Sequence, residues 1–341
     1  MKTDVRNNAL DSLKFFAAFV IYTGHFMTEY NVSLDRLMPT VFFWLLFKGI
    51  TGKFGLAVFG VILGYFAITE GKKMKYTISD YTIKRYIYFV ICGLFINGLF
   101  AILYKYPLTA VFLQSFTLGG NIYNTFWCLP ALFTASIIGF FIGRSDISFS
   151  EALLLSAVFY ICGNLWVCIS LFGGALIIEY AKKPLWQNRL VRIAVFLISF
   201  FIIKRDESVL TYLLDGITAA VWVILLENSD CLNRFMSNSL TSSLGKNSMA
   251  FFLIHVIIYK TAGKKIFDYC VCRDVKTGLA AIITYFICLA LISVLSFPTC
   301  AFLRFCTNKT MLLCKGIQAR IHNSLTDRLP PPSRMIIILQ A

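Results

Sequence analysis

From Leu10 to Phe302 the sequence is a succession of apolar runs, and no polar link between them is long enough to fold as a domain of its own. Lipid offers no partner to an unpaired N–H or C=O, so such runs cross a hydrocarbon core of about 30 Å as helices. The 341 residues are 58% hydrophobic and 14% charged, more apolar surface than a soluble domain of this length needs. The expected fold is an all-α, polytopic membrane helix bundle of about ten transmembrane helices. One transmembrane domain, 1–303, precedes a basic tail, 304–341, in which PPP and RMIIILQA carry no fold signal. Pro39 to Phe47 and Thr109 to Phe116 are too short to cross, and Gly163–Asn164 should join two spans as a tight hairpin. The first apolar run is too long and too interrupted by charge for a cleavable signal peptide, so it is expected to stay.

Charge sets the orientation. Lys72, Lys73, Lys75, Lys84 and Arg85 crowd one link, Lys182, Lys183, Arg189 and Arg192 another, and Lys309, Lys315, Arg320, Arg328 and Arg334 follow the last span. With ten spans all three groups fall on one side, the cytoplasm by the positive-inside rule, and both termini lie there. Lys260, Lys264, Lys265, Arg273 and Lys276 disagree, falling outside unless that loop folds back on something acidic or a span is miscounted. The net charge of +15 is too dispersed for a nucleic-acid face. Most of the eleven cysteines, such as Cys92, Cys128 and Cys288, sit inside apolar runs as small hydrophobes and indicate no disulfide framework.

The first run carries charges that lipid does not tolerate. At about 100° per residue Asp11, Lys14, Ala18, Ile21 and His25 share one helical face, and Lys14 and His25 stand about 16 Å apart along the axis. They can therefore address different depths of a bilayer. A second constellation lies in SSLGKNSMAFFLIH, where Gly245 and Asn247 open a helix and His255 follows Ser248 by seven positions, on the same face. Polar groups inside such helices usually face the bundle interior. Each also has a plain structural reading: Asp11 and Lys14 as an i,i+3 pair, His255 as a hydrogen-bond donor, Arg85 as a snorkelling topology residue, Trp127 as an interfacial anchor.

Arg6, Leu10, Asp11, Lys14 and His25 together resemble the first signature of the integral-membrane acyltransferase type 3 family, bacterial O-acetyltransferases of cell-surface glycans. VFGVILGYF, with Gly64 and Tyr65, resembles its second, with Leu63 where the family has Ser. Two arginines at the start of the third span are represented by Arg85, with Tyr88 in the other place. WCLPALF at Trp127 and LGKNSMAFFLIH supply two more segments in the family order, so the resemblance runs from Arg6 to Phe302. It implies a multi-pass protein of the bacterial inner membrane. It also implies transfer of an acyl group, acetyl by preference, from cytoplasmic acyl-CoA to a sugar hydroxyl on the far side.

Such a transfer needs a base for the hydroxyl proton and donors for the tetrahedral oxyanion. His25 is the candidate base, with Asp11, Ser248 and His255 as further catalytic candidates. Asp11 is about 21 Å from His25 along the axis and cannot orient it. Lys14 and Arg85 suit the phosphates of acetyl-CoA; Trp127 and Asn247 are candidates for the acceptor. Neither an H-E-x-x-H zinc signature nor a P-loop occurs, so no metal is expected. The expected partners are a glycan or lipid-linked sugar and membrane lipids, not nucleic acid. Two other classes stay open: a transporter or flippase of a lipid-linked or anionic solute, and a non-catalytic membrane protein of the same fold. The loop charges give a topology test: reporters fused after Tyr104 should read outside and after Lys183 inside, and one side for both would break the span count.

Overall fold

A computed structural model describes residues 8–30, 52–118, 128–202 and 208–328, all of whose elements are helical. Arg6, the Pro39–Phe47 run, Trp127 and the segment from Pro330 onward lie outside the described residues. In chain order the helices are α1 (Asn8–Glu29), α2 (Gly52–Lys72), α3 (Ile78–Tyr104), α4 (Leu108–Phe116), α5 (Cys128–Arg144), α6 (Phe149–Ile161) and α7 (Leu165–Tyr180). There follow α8 (Arg189–Ile202), α9 (Val209–Asn228), α10 (Asp230–Met236), α11 (Ser239–Lys246), α12 (Ser248–Ile258), α13 (Lys264–Cys272) and α14 (Thr277–Arg328). Among them α2, α3, residues 210–228 of α9 and 277–320 of α14 are long and apolar enough to cross a membrane, and α5, α6 and α7 are shorter apolar helices.

Local sequence explains the ends. Thr77 caps α3 by accepting from the Asp80 N–H, and Ser148 with Glu151 forms a reciprocal capping box at α6. The α6–α7 hairpin turns at Gly163, whose φ of 78° suits a residue without Cβ, and Asn164 caps α7 by accepting from the Val167 N–H. The last helix does not stop at the expected domain edge. It runs on through Arg304 to Arg328, since no proline follows Pro298 before Pro330 and the lone Gly316 is tolerated within the helix.

The centre of the bundle is α2, which packs on α1, α5, α7 and α9. A Cβ added to Gly24 would lie 3.3 Å from the Gly52 nitrogen and one added to Gly55 2.7 Å from the Ala17 carbonyl oxygen, so α2 starts beside the end of α1 and runs antiparallel to it. Accordingly the Lys14 ammonium sits 5.8 Å from the centre of the Phe66 ring, at the far end of α2. The bundle thus has a Lys14 end and a His25 end. The glycine of the VFGVILGYF signature has a packing role: a Cβ on Gly64 would stand 2.0 Å from the Ser170 carbonyl oxygen of α7. In lipid, where apolar burial gives helices little drive to associate, such close backbone contact carries the packing. Gly64→Ala should therefore force α2 and α7 apart and cost about 1–3 kcal/mol. Gly98→Ala in α3, where a Cβ meets nothing within 4 Å, should be neutral or slightly stabilising. Thermal unfolding of the two detergent-solubilised variants compares them.

Candidate functional site between α1 and α12

The Lys14 end is fixed by α11 lying against the start of α1. A Cβ on Gly245 would fall 1.7 Å from the Asp11 carbonyl oxygen, so a side chain at 245 would separate the two backbones. Ser12 Oγ and Thr241 Oγ1 share a hydrogen bond of 2.9 Å, and Ser242 Oγ donates to Asn8 Oδ1 at 3.1 Å. Asp11 is buried and pairs with Lys14, Oδ1 to Nζ 2.6 Å, which is the i,i+3 arrangement the spacing allows. Asn247 donates from Nδ2 to the Ser243 carbonyl, and Ser248 is buried at the start of α12. Ser248 stands about 10.5 Å from His255 along the axis. The two share a face but not a depth.

Because α1 and the α11–α12 pair run side by side in the same direction, the histidines meet further along. Phe251 stands edge-on to both Phe15 and Tyr22, their ring centroids 5.7 and 6.3 Å away, filling the space between the two ends. One turn on, the rings of His25 and His255 face each other at 5.4 Å and 37°. His25 is half-buried, whereas His255 is 1% exposed. The Nδ1 of His255 contacts the Phe252 carbonyl oxygen. A carbonyl only accepts, so Nδ1 carries the proton, and whenever the ring is neutral Nε2 is its acceptor nitrogen.

A tyrosine frame holds this end. Tyr22 donates to the Tyr285 carbonyl at 2.8 Å, tying α1 to α14. Thr23 Oγ1 donates to the Phe19 carbonyl, so in its 2.8 Å bond with the Tyr285 hydroxyl it is Thr23 that accepts. Glu29, one turn beyond His25 on the same face, forms an ion pair with Lys260, Oε2 to Nζ 3.8 Å. Sequence reasoning missed Tyr22 and Tyr285, which look like ordinary apolar filling in the chain. Lys260 it marked only as a charge on the wrong side.

Arg85 lies at the Lys14 end, since α3 begins where α2 finishes. Its guanidinium carbon is 5.0 Å from the centre of the Tyr81 ring, and that ring stacks on Phe140 at 3.9 Å and 11°. Lys14 and Arg85 thus share an end of the bundle on different helices. Tyr88, which stands in the second arginine's place, is partly buried against Phe89. Tyr65 donates to Glu227 Oε1 at 2.7 Å and belongs to the α2–α9 contact. Among the described residues no three His, Cys, Asp or Glu side chains gather as a metal site would require.

Residues 7–301 match the model of a family described as an acyltransferase domain. No curated protein and no solved structure matches the chain.

The buried Asp11–Lys14 pair has a testable energetic signature. Asp11→Asn alone leaves a largely buried ammonium beside a neutral amide and should destabilise the protein by about 3 kcal/mol. Adding Lys14→Met removes the orphaned charge and should recover most of that loss in the same thermal-unfolding measurement. A double variant as unstable as the single would place the stabilisation elsewhere.

Proposed function

The chain belongs to the acyltransferase 3 family over residues 7–301, and from that premise we propose that it is a multi-pass membrane O-acyltransferase with His25 as its general base. Several long apolar helices fit an integral membrane protein, and in this reading about ten spans leave both termini in the cytoplasm. The donor is cytoplasmic acetyl-CoA. The acceptor is a hydroxyl of a cell-surface or lipid-linked glycan entering at the His25 end. The single observation that carries the reading is the facing pair of His25 and His255, brought together from the first and last family signatures.

The division of labour follows from the two ends. Lys14 and Arg85 hold the donor's phosphates, and the arm carrying the thioester runs the roughly 16 Å toward His25. Asp11 keeps Lys14 in place; Asn247, expected at the acceptor, and Ser248, expected among the catalytic groups, sit at that same end and take no part at the histidines. With Nδ1 of His255 committed to the Phe252 carbonyl, Nε2 can accept an N–H from His25 and leave the other His25 nitrogen as the base. That nitrogen takes the sugar hydroxyl proton as the oxygen attacks the thioester carbonyl. Collapse of the tetrahedral intermediate breaks the C–S bond, and the imidazolium returns the proton to the departing coenzyme A sulfur.

His25→Ala should lower acetyl transfer by about 10²- to 10⁴-fold, the usual cost of losing a general base. It should leave acetyl-CoA binding intact. The assay is radiolabel transfer from acetyl-CoA to envelope glycans, with donor binding followed separately on purified protein. A loss of only about threefold would give His25 a structural role instead.

A further inference from the structure

Lys260 belongs to the stretch whose positive charges contradict the orientation rule, and its surroundings show where that charge goes. Directly after α12 the helix widens into a π turn, Tyr259–Gly263, before resuming as α13. Such single-turn bulges cluster at functional sites. The turn is pinned from two sides. Tyr30 donates to the Tyr259 carbonyl at 2.6 Å, and a Cβ on Gly263 would stand 2.7 Å from the Tyr30 hydroxyl and 2.8 Å from the Cys288 sulfur of α14. Lys260, whose side chain is 26% exposed, is thereby turned back on α1, beside Glu29 and one turn from His25. Residues 259–276 carry five basic side chains, Lys260, Lys264, Lys265, Arg273 and Lys276, against Asp268 and Asp274. Lys264 and Lys265 are exposed at the same end. A net positive charge kept on the translocated side against the usual bias needs a reason in what meets it there.

We propose that Lys260, with Lys264 and Lys265, forms the recognition site for an acidic acceptor, a glycan bearing a carboxylate or phosphate next to the hydroxyl that is acylated. This rests on the acyltransferase reading and adds the acceptor's charge class to it. Glu29 serves as the internal counter-ion, and the acceptor's anion takes its place on Lys260 as the hydroxyl comes to His25. A headgroup site for outer-leaflet lipid would face away from the bundle; Lys260 faces the helix that carries the base.

The test uses the full-length protein in detergent with tri-galacturonate as the acidic probe and maltotriose as the neutral one. Lys260→Gln should raise KM for tri-galacturonate about tenfold and leave kcat within about twofold. Lys260→Arg should restore KM, and Lys264→Gln/Lys265→Gln should give a smaller rise that disappears at high salt. Equilibrium binding of tri-galacturonate without acyl-CoA separates this proposal from the one beneath it. Lys260-dependent binding with no acyl transfer to tri-galacturonate, maltotriose or envelope glycans would uphold the acidic site and sink the acyltransferase reading. Acyl transfer with equal use of both oligosaccharides would do the reverse. A fall in kcat with KM unchanged would overturn the site by making Lys260 an oxyanion donor. So would loss of binding to phosphatidylglycerol nanodiscs with the glycan arm unaffected, which would make the patch a lipid site.

Discussion

The site depends on one backbone contact, that of Gly245 against the Asp11 carbonyl. With no side chain at 245, α11 approaches α1 closely enough for the Ser12–Thr241 and Ser242–Asn8 hydrogen bonds to form. These contacts fix the register in which α12 continues beside α1. Register then decides everything further along: Phe251 edges between Phe15 and Tyr22, and His255 arrives opposite His25. A slip of one residue would rotate His255 by about 100° about its helix axis. The hydrogen bonds are individually modest in a bilayer, so the close contact of backbones is what makes the alignment definite.

The two charged ends are kept apart by an aromatic layer. At one end Asp11 and Lys14 neutralise each other inside the bundle, with the Phe66 ring near the ammonium. At the other the histidines lie among Tyr22, Phe252 and Tyr259, with the Glu29–Lys260 pair beyond. Along α1, Asp11 is about 21 Å from His25, and Glu29, one turn beyond it, pairs with Lys260. His255 is the group from another helix that can orient His25, and its own tautomer is set by a carbonyl of its preceding turn. The tyrosines that tie α1 to α14 and to the π turn hold both rings in place without adding charge.

Much of this was legible in the chain, for physical reasons that also mark where legibility ended. Apolar runs disclose helices because lipid leaves the backbone no alternative, and Gly163–Asn164 discloses a hairpin because few residues turn that tightly. The i,i+3 spacing of Asp11 and Lys14 gave their pairing as one of two readings, and the structure contains the pair. The depth of Ser248 could not be read against His25, because it depends on how α12 is aligned with α1; the expectation that it faces His25 together with His255 is met by His255 in position, while Ser248 sits toward the Lys14 end. Gly64 and Gly245 read as motif letters, and only the opposing carbonyls show them to be places where backbones touch. The continuation of α14 past 303 was hidden by its charge: Lys309, Lys315 and Arg320 read as a tail, although no proline interrupts them. Tyr285 carried no signal at all, since its partners are more than two hundred residues away in sequence.

The central claim is that one molecule of donor joins the two ends, phosphates by Lys14 and Arg85 and reacting carbon by His25. A cryo-electron microscopy map of the full-length protein with a thioether analogue of acetyl-CoA tests it most directly. The account predicts density for the phosphates at the Lys14 end and the analogue's sulfur against the His25–His255 pair. A sulfur left at the Lys14 end, with the histidine pair untouched, would contradict it.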